Sequence, residues 1–412
     1  MRLDALRSRR YRRYWLGSIA SVGATQLYLI AKGWLVFELS GSAWDLGLLG
    51  AAAALPTILA TFAGGLIADR MNRRRVLIVT SSSIAVLLCL LATLDALELV
   101  RVWHVWAIAA ILGLAHGFDF PARQAFFPSL IKPAQMMSAV ALNSILWQAT
   151  RMILPALAGV AIALTDTSII FFVTALGFIL MVKVLFGLDV DSHRPQSAKP
   201  LRELIEGIQF IVGQQLFYVL ILLTWTGMFF GTAYFQILPL FAELLGSNER
   251  GYGLMVSFTG IGSVIGTLLV GRLQRHRHLG RIMFLSAALM PCALLVFAVI
   301  TGTFKTYPAA FAASCASILI AAICNSVFLI TSMTVLQLRV PEALRGRVMG
   351  IHSITFSLIG LGGLVIGLTA SWLTAPIAVG IGASIVLICV VSAYFHFTSI
   401  RNLDGRSLTG SS

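Results

Sequence analysis

An all-α polytopic membrane protein is the fold class this sequence predicts, and three observations predict it. Of its 412 residues, 58% are hydrophobic and only 11% charged, with a mean hydropathy of +0.91. A soluble chain is close to half apolar and about a quarter charged. The apolar residues come in runs of about 20, the length a helix needs to cross roughly 30 Å of hydrocarbon. The charges collect between those runs. Together these features exclude a soluble enzyme of two or three domains, which length alone would suggest. They also exclude a disordered chain and a nucleic-acid binder, despite a net charge of +14 and a pI near 10.2.

Twelve runs qualify as transmembrane helices. Six lie at 14–38, 44–68, 76–95, 103–126, 138–163 and 168–188; six more lie at 215–242, 252–272, 282–302, 308–336, 350–372 and 375–398. The loops left between them are short, with little room for an extramembrane domain. Lys and Arg set the orientation, since they concentrate on the cytoplasmic side. The amino terminus, the even-numbered loops and the tail hold 24 of them, whereas the opposite side holds only Arg101, Arg250 and Lys305. Both termini are therefore expected in the cytoplasm, and the basic balance reflects topology. The first run follows six arginines and lacks a small-residue cleavage site, so it reads as a retained helix. All five cysteines fall inside predicted spans. No disulfide framework or metal signature emerges, and buried small hydrophobes are expected.

The two halves repeat each other. Gly47 and Gly65 are 18 residues apart and precede DRMNRRR; Gly253 and Gly271 have the same separation and precede RLQRHRHLGR. LIKPAQMMSA around Pro133 pairs with LRVPEALRGR around Pro341. The offsets are 206 and 208, which suggests a duplicated six-helix unit. The expected organisation is a bundle over 1–188, a linker over 189–214, a second bundle over 215–398 and a tail over 399–412. Within the linker, LRELIEGIQFIVG has the spacing of a short helix lying on the membrane surface.

Two six-helix bundles joined by a linker resemble the major facilitator superfamily. GGLIADRMNRRR, Gly64 to Arg75, is similar to that superfamily's loop between helices two and three. ELSGSAWDLGLL, DFPARQAFFPSLI and LQLRVPEALRGRVMG resemble the branch of enterobactin exporters and macrolide efflux proteins. The Gly-Pro pair usual in helix five of that branch is Leu154-Pro155 here, with Gly159 retained. The resemblance implies a transporter that works by alternating access in the bacterial inner membrane, with two halves rocking about a central cavity. It implies a gate built from Gly65, Asp69, Arg70, Arg73 and Arg74, with Gly271, Arg345 and Arg347 as second-half counterparts. In that gate Asp69 faces the start of helix eleven, an end that carries about +0.5 charge. A purely topological anchor is the alternative for this loop.

Charges inside spans cost about 2.5–3.5 kcal/mol each at the helix centre, so each needs a partner or a purpose. Lys32, Asp119, Arg151 and Lys183 are in this position. Asp119 stands four residues before Arg123, a spacing that lets them pair on one face; the alternative makes Asp119 the proton carrier, with His116 one turn away. Arg151 lies near the middle of helix five with Gln148 and Asn143 at helical spacing. Pairing it with Asp119 would span a depth difference of about 10 Å. By the resemblance, helices one and five line the cavity. Lys32 and Arg151 would then make it electropositive and favour an anionic or oxygen-rich substrate; Lys32 reaching outward to the interface is the alternative. Ser42 and Asp45 have the spacing of a helix-capping pair, with proton coupling the alternative for Asp45, and Glu38 remains open. Span seven is aromatic, with Trp225, Phe229, Phe230, Tyr234 and Phe235 interrupted by Gly227 and Gly231. Trp225, Phe229 and Phe230 are expected on one face; with Tyr234 and Gln236 these aromatics suit a planar or amphipathic ligand, and lipid-facing or interface positions are the alternative. Gln26, Trp147 and Asn325 complete the cavity candidates. Gly260, Gly262 and Gly266, and Gly360, Gly362, Gly363 and Gly367, read as positions for close packing and bending.

No nucleophile elbow, phosphate-binding loop, zinc spacing or dinucleotide fingerprint is present, so neither an enzyme nor a cofactor is expected. Without a site for ATP hydrolysis, uphill work falls to an ion gradient, with protons the default. The expected function is proton-coupled export of a siderophore-like or similar small organic molecule. A multidrug or macrolide efflux pump is the alternative, and a membrane enzyme or sensor that moves no solute a more distant one. The expected partners are the small-molecule substrate, protons and the lipid bilayer, with no nucleic acid, and the expected state is a monomer.

Overall fold

The computed structural model describes residues 4–68, 72–188, 200–273 and 276–405. Among them there is no strand. Twelve helical spans are long and apolar enough to cross a membrane. Spans one to six are Arg9–Ser40, Ala43–Thr61, Arg73–Ala96, Val102–Leu130, Met136–Leu164 and Thr167–Phe186. Spans seven to twelve are Gln215–Leu244, Glu249–Leu273, Leu279–Thr303, Ala310–Arg339, Arg347–Trp372 and Ala375–His396. Each coincides with a predicted run. The linker segment forms a separate helix, Pro200–Val212.

Polar residues at the ends explain where helices start and stop. The Ser8 hydroxyl accepts the Tyr11 N–H to open span one, and Gly41, at φ 59°, closes it by donating its N–H to the Phe37 carbonyl. A left-handed residue is what this kind of cap needs, and glycine adopts it without steric cost. Asn72 accepts the Arg74 and Arg75 N–H groups to open span three, and Thr374 accepts from Ile377 to open span twelve. The Asp45 N–H donates to Ser42 Oγ at 3.3 Å, the cap anticipated for span two.

The chain groups into two compact units. One comprises Met1–Gly41, Ala51–Ala198 and Glu249–Gly253; the other comprises Ser42–Gly50, Lys199–Asn248 and Leu254–Ser412. Lipid is as apolar as leucine, so helices in a bilayer associate mainly through close packing and hydrogen bonds. In the first unit, a Cβ on Gly117 would come within 2.4 Å of Ala60 Cβ, and Thr57 Oγ1 bonds both the Ala53 and Gly113 carbonyls. In the second, a Cβ on Gly262 or Gly266 would come within 2.6 or 2.5 Å of a span-ten carbonyl. The leading glycines of the sequence repeat also sit at such approaches: Gly253 against Gly159 in the first unit, Gly47 against Gly363 and Gly367 in the second. Of the cysteines, Cys315 and Cys324 are buried as expected, but Cys292 is exposed on its span.

Spans seven and eleven depart from regular helix. After Thr226, span seven widens into a π turn over Gly227–Gly231 and then tightens into a 3-10 turn over Ala233–Ile237. The Thr232 N–H donates five residues back to the Gly227 carbonyl at 2.8 Å, the wide-turn bond. Span eleven breaks at a 3-10 turn, Ile354–Phe356, between Glu342–Ser353 and Leu358–Trp372.

Candidate functional site

Three spans of the first unit meet at one buried ion pair. Asp119, 5% exposed, accepts from Arg123 Nε through Oδ2 and from Thr80 Oγ1 through Oδ1 at 2.9 Å. Arg123 also donates from Nη1 to Ser21 Oγ at 3.1 Å. Both carboxylate oxygens are thus engaged from spans three and four, and the guanidinium reaches span one. Removing the charge from water is costly unless partners satisfy it, and here they do. The bond closes the pair that i,i+4 spacing predicts. Arg151 is exposed on its span and takes part in other contacts. His116 lies edge-on to the Phe178 ring, with centroids 6.4 Å apart.

Lys32 is 7% exposed, so it does not reach outward to the interface. Its Nζ lies 5.0 Å from the centroid of the Tyr28 ring, one helical turn back. Among the described residues no carboxylate lies within ion-pair distance of it. An ammonium over an aromatic face gains some electrostatic attraction, but that is less than a buried charge needs. Tyr28 Oη is buried with no hydrogen-bond partner. The next turn of span one carries Trp34, stacked on Tyr252 at 6.1 Å. Gln26 is buried on the same span. A small cleft of about 20 Å³ lies in the first unit, lined by Tyr14, Ser18, Arg123, Asn143 and Trp147 among others. Two cavity candidates of span five therefore share a cleft with the arginine of the buried pair. The side chain of Gln148 lies outside the described residues.

The gate residues divide. Asp69 and Arg70 lie outside the described residues, as do the side chain of Arg345 and the surroundings of Gly65. Arg74 donates from Nε and Nη2 to the Leu185 and Phe186 carbonyls, each at 2.8 Å, and Arg73 donates from Nη1 to the Ala125 carbonyl at 3.0 Å. Both cations thus satisfy carbonyls at helix C-termini, where positive charge is favoured. Gly271 has open space around it. Arg347 donates to Glu206 on the linker helix. Of the remaining carboxylates, Glu38 is exposed at the end of span one and Asp45 half-buried at the start of span two.

In the second unit the π turn redistributes the aromatic face of span seven. Helical spacing predicts Trp225, Phe229 and Phe230 together. Instead, Trp225 and Phe230 pack on the core that holds Phe217, Leu220 and Val386, and Phe229 meets Phe230 edge-on at 4.8 Å. Trp225 Nε1 is buried without a hydrogen-bond partner. Tyr234 is 4% exposed and turned against Phe297 of span nine, 6.1 Å away. The wide turn and the 3-10 turn after it rotate its side chain off the helical register. Gln236 is half-buried beside Gly50 and Gly363, and Asn325 is half-buried on span ten.

The family model for transmembrane secretion effectors, a branch of the major facilitator superfamily, matches residues 2–412. The chain belongs to this transporter family. The enterobactin exporter EntS of Escherichia coli is 24% identical, over 94% of this chain and 93% of that protein. The staphyloferrin A transporter of Staphylococcus aureus is 26% identical, over 65% of this chain and 68% of that one. The fold is shared with the nucleoside transporter NupG (TM-score 0.71, 13% identity, 94% of this chain and 100% of that) and with a D-xylose-proton symporter (TM-score 0.68, 15% identity, 94% of each chain). The family is one of transporters and not of enzymes.

For a secretion-effector transporter, what the sequence leaves unread is mostly the other half of each contact. Thr80 and Ser21 complete the Asp119–Arg123 pair from spans three and one, 39 and 102 residues away in the chain from the partners they bond. Nothing in their local sequence announces it. The Tyr28–Lys32 pair is local and legible. The stacking of Trp34 on Tyr252, 218 positions apart, is not.

Proposed function

We propose that this transporter exports small anionic, oxygen-rich organic molecules of the siderophore class by alternating access, driven by protons. The asymmetry of Lys and Arg supports an inner-membrane orientation with both termini cytoplasmic. The observation that carries the substrate reading is Lys32, a buried ammonium without a carboxylate partner among the described residues. A lone buried charge is costly, and an incoming anion would relieve that cost. The Tyr28 hydroxyl, also unpartnered, is a ready donor beside it. Similarity to an enterobactin exporter and a staphyloferrin A transporter supports the same class.

Asp119 is the proton-carrying carboxyl in this reading. Protonating it would loosen its hold on Arg123, which already lines the first-unit cleft. The gate in this reading is the one assigned by resemblance to Asp69 and Arg70, and Asp69→Asn is expected to abolish flux with membrane insertion intact. The substrate test is counterflow in proteoliposomes with enterobactin and staphyloferrin A as probes. Lys32→Gln is expected to lower flux by an order of magnitude or more, with Lys32→Arg retaining most of it. Unchanged flux in Lys32→Gln would refute the anion site. Transport of hydrophobic cations alone would favour instead the multidrug reading, which rests on half-buried Phe229 and Phe230 in span seven.

A further inference from the structure

The helix Pro200–Val212 takes no part in the transport reading above, yet its surroundings are specific. At Gly207 it touches the first segment of span eleven: a Cβ there would lie 3.1 Å from Ile351 Cδ1 and 3.2 Å from Arg347 Cβ. Next to it, Glu206 accepts from Arg347 Nη1. Ile211, 6% exposed, enters the core that contains Phe217, Val348 and Ile351. One side of the helix is therefore filled by its own chain.

The other side is apolar and bare. Ile205 is 47% exposed, Ile208 45% and Val212 67%. Positions i, i+3 and i+7 form one stripe along a helix; Gln209 is exposed on the same side. Only Gly213 and Gln214 separate the helix from the start of span seven. Two residues reach at most about 7 Å, so the helix ends within that distance of the start of span seven.

We propose that this helix is a membrane-surface clamp. Its Ile205–Ile208–Val212 stripe enters the interfacial zone of the bilayer, and its Glu206–Gly207 side holds the segment Glu342–Ser353. Helices with one apolar face lie in the interface with that face roughly 5–10 Å into the headgroup boundary. The clamped segment joins the rest of span eleven through the 3-10 turn Ile354–Phe356. The clamp therefore acts on the part of the span that carries Arg345 and Arg347, on one side of a break. The inference rests on the chain being a membrane transporter, not on its substrate, coupling ion or direction.

The test uses the full-length protein with its five cysteines replaced, in nanodiscs of phosphatidylcholine and phosphatidylglycerol. A spin label at position 205, 208 or 212 is expected to collide with oxygen and to be shielded from a water-soluble nickel chelate. Hydrogen exchange in residues 342–353 is expected to rise roughly three- to five-fold in Ile208→Asp and in Glu206→Gln, the scale of a lost half-exposed ion pair. The double variant should exceed neither by much, because both release the same clamp. Free access of nickel to the stripe would overturn the proposal by placing it in water. Shielding from both reagents would overturn it by placing protein, such as a second copy, on the stripe. So would unchanged exchange in Ile208→Asp. None of these readouts depends on flux, so failure of the anion-site reading would leave them standing.

Discussion

The first unit buries charge on regular helices, and the second bends its helices around neutral groups. Span four runs from Val102 to Phe126 without a break, Pro121 included, and carries Asp119 and Arg123 as a buried pair. Span seven has no charged residue from Gln215 to Ala242. There a π turn and a 3-10 turn set the positions of Phe229, Phe230 and Tyr234. Non-helical backbone at membrane depth persists only where protein or a water-lined cavity satisfies it. The two units rely on different physics. The first offers electrostatics and the second shape.

The largest way to break this comparison is to orphan a charge. Asp119→Ala leaves Arg123 buried with only the neutral Ser21 and Tyr14 hydroxyls as partners, and breaking such a pair costs about 3–5 kcal/mol. A thermal unfolding series in nanodiscs would measure it. Replacing both partners, Asp119→Leu with Arg123→Met, is expected to recover most of the loss. If the single and double variants unfold alike, charge burial is not what organises the first unit.

Thr80→Val is the next step down. It removes the 2.9 Å bond to Asp119 Oδ1 and is expected to cost about 1.5–3 kcal/mol, the range for hydrogen bonds to charged groups. Serine at the same position restores the donor and should restore stability, which separates the bond from packing.

The second unit is probed at Gly362. A Cβ there would lie 1.9 Å from the Phe229 carbonyl oxygen inside the π turn. Gly362→Ala must push that turn aside, and overpacking of this kind costs about 1–3 kcal/mol. Trp225 stands two residues before the turn, so in a background with the other seven tryptophans replaced by phenylalanine its fluorescence maximum should shift in this variant and stay fixed in Thr80→Val. A shift in both would mean the two units do not respond separately.

The sequence made the twelve spans legible because crossing a bilayer fixes both length and composition. It made the Asp119–Arg123 pair legible because i,i+4 neighbours meet on any helix. The turns in spans seven and eleven were not legible in the same way. Gly227 and Gly231 mark a weak place in span seven, but which wide turn forms depends on Gly362 and Gly382 approaching the Phe229 and Phe230 carbonyls from elsewhere in the chain. For that reason the packing of Tyr234, a cavity candidate, against Phe297 does not follow from helical spacing. Burial of Lys32 likewise depends on neighbours. A lysine in the outer half of a span can reach the interface, and only the packing around Tyr28 shows that this one does not.

The smallest effect sharpens the contrast most, because it compares like with like. Glu206–Arg347 in the second unit is an ion pair too, but its side chains are 38% and 27% exposed against 7% and 12% for Asp119 and Arg123. Solvent screens the exposed pair and side-chain entropy opposes it, so its coupling in a double-mutant cycle is expected at about 0.2–1 kcal/mol. Raising the salt concentration from about 0.05 to about 0.5 M should shrink that value and leave the Asp119–Arg123 coupling nearly unchanged, since buried charges are little screened. Equal salt sensitivity of the two cycles would mean that water reaches Asp119 as freely as Glu206. The buried pair would then be an open site, with its proton exchanging directly with solvent.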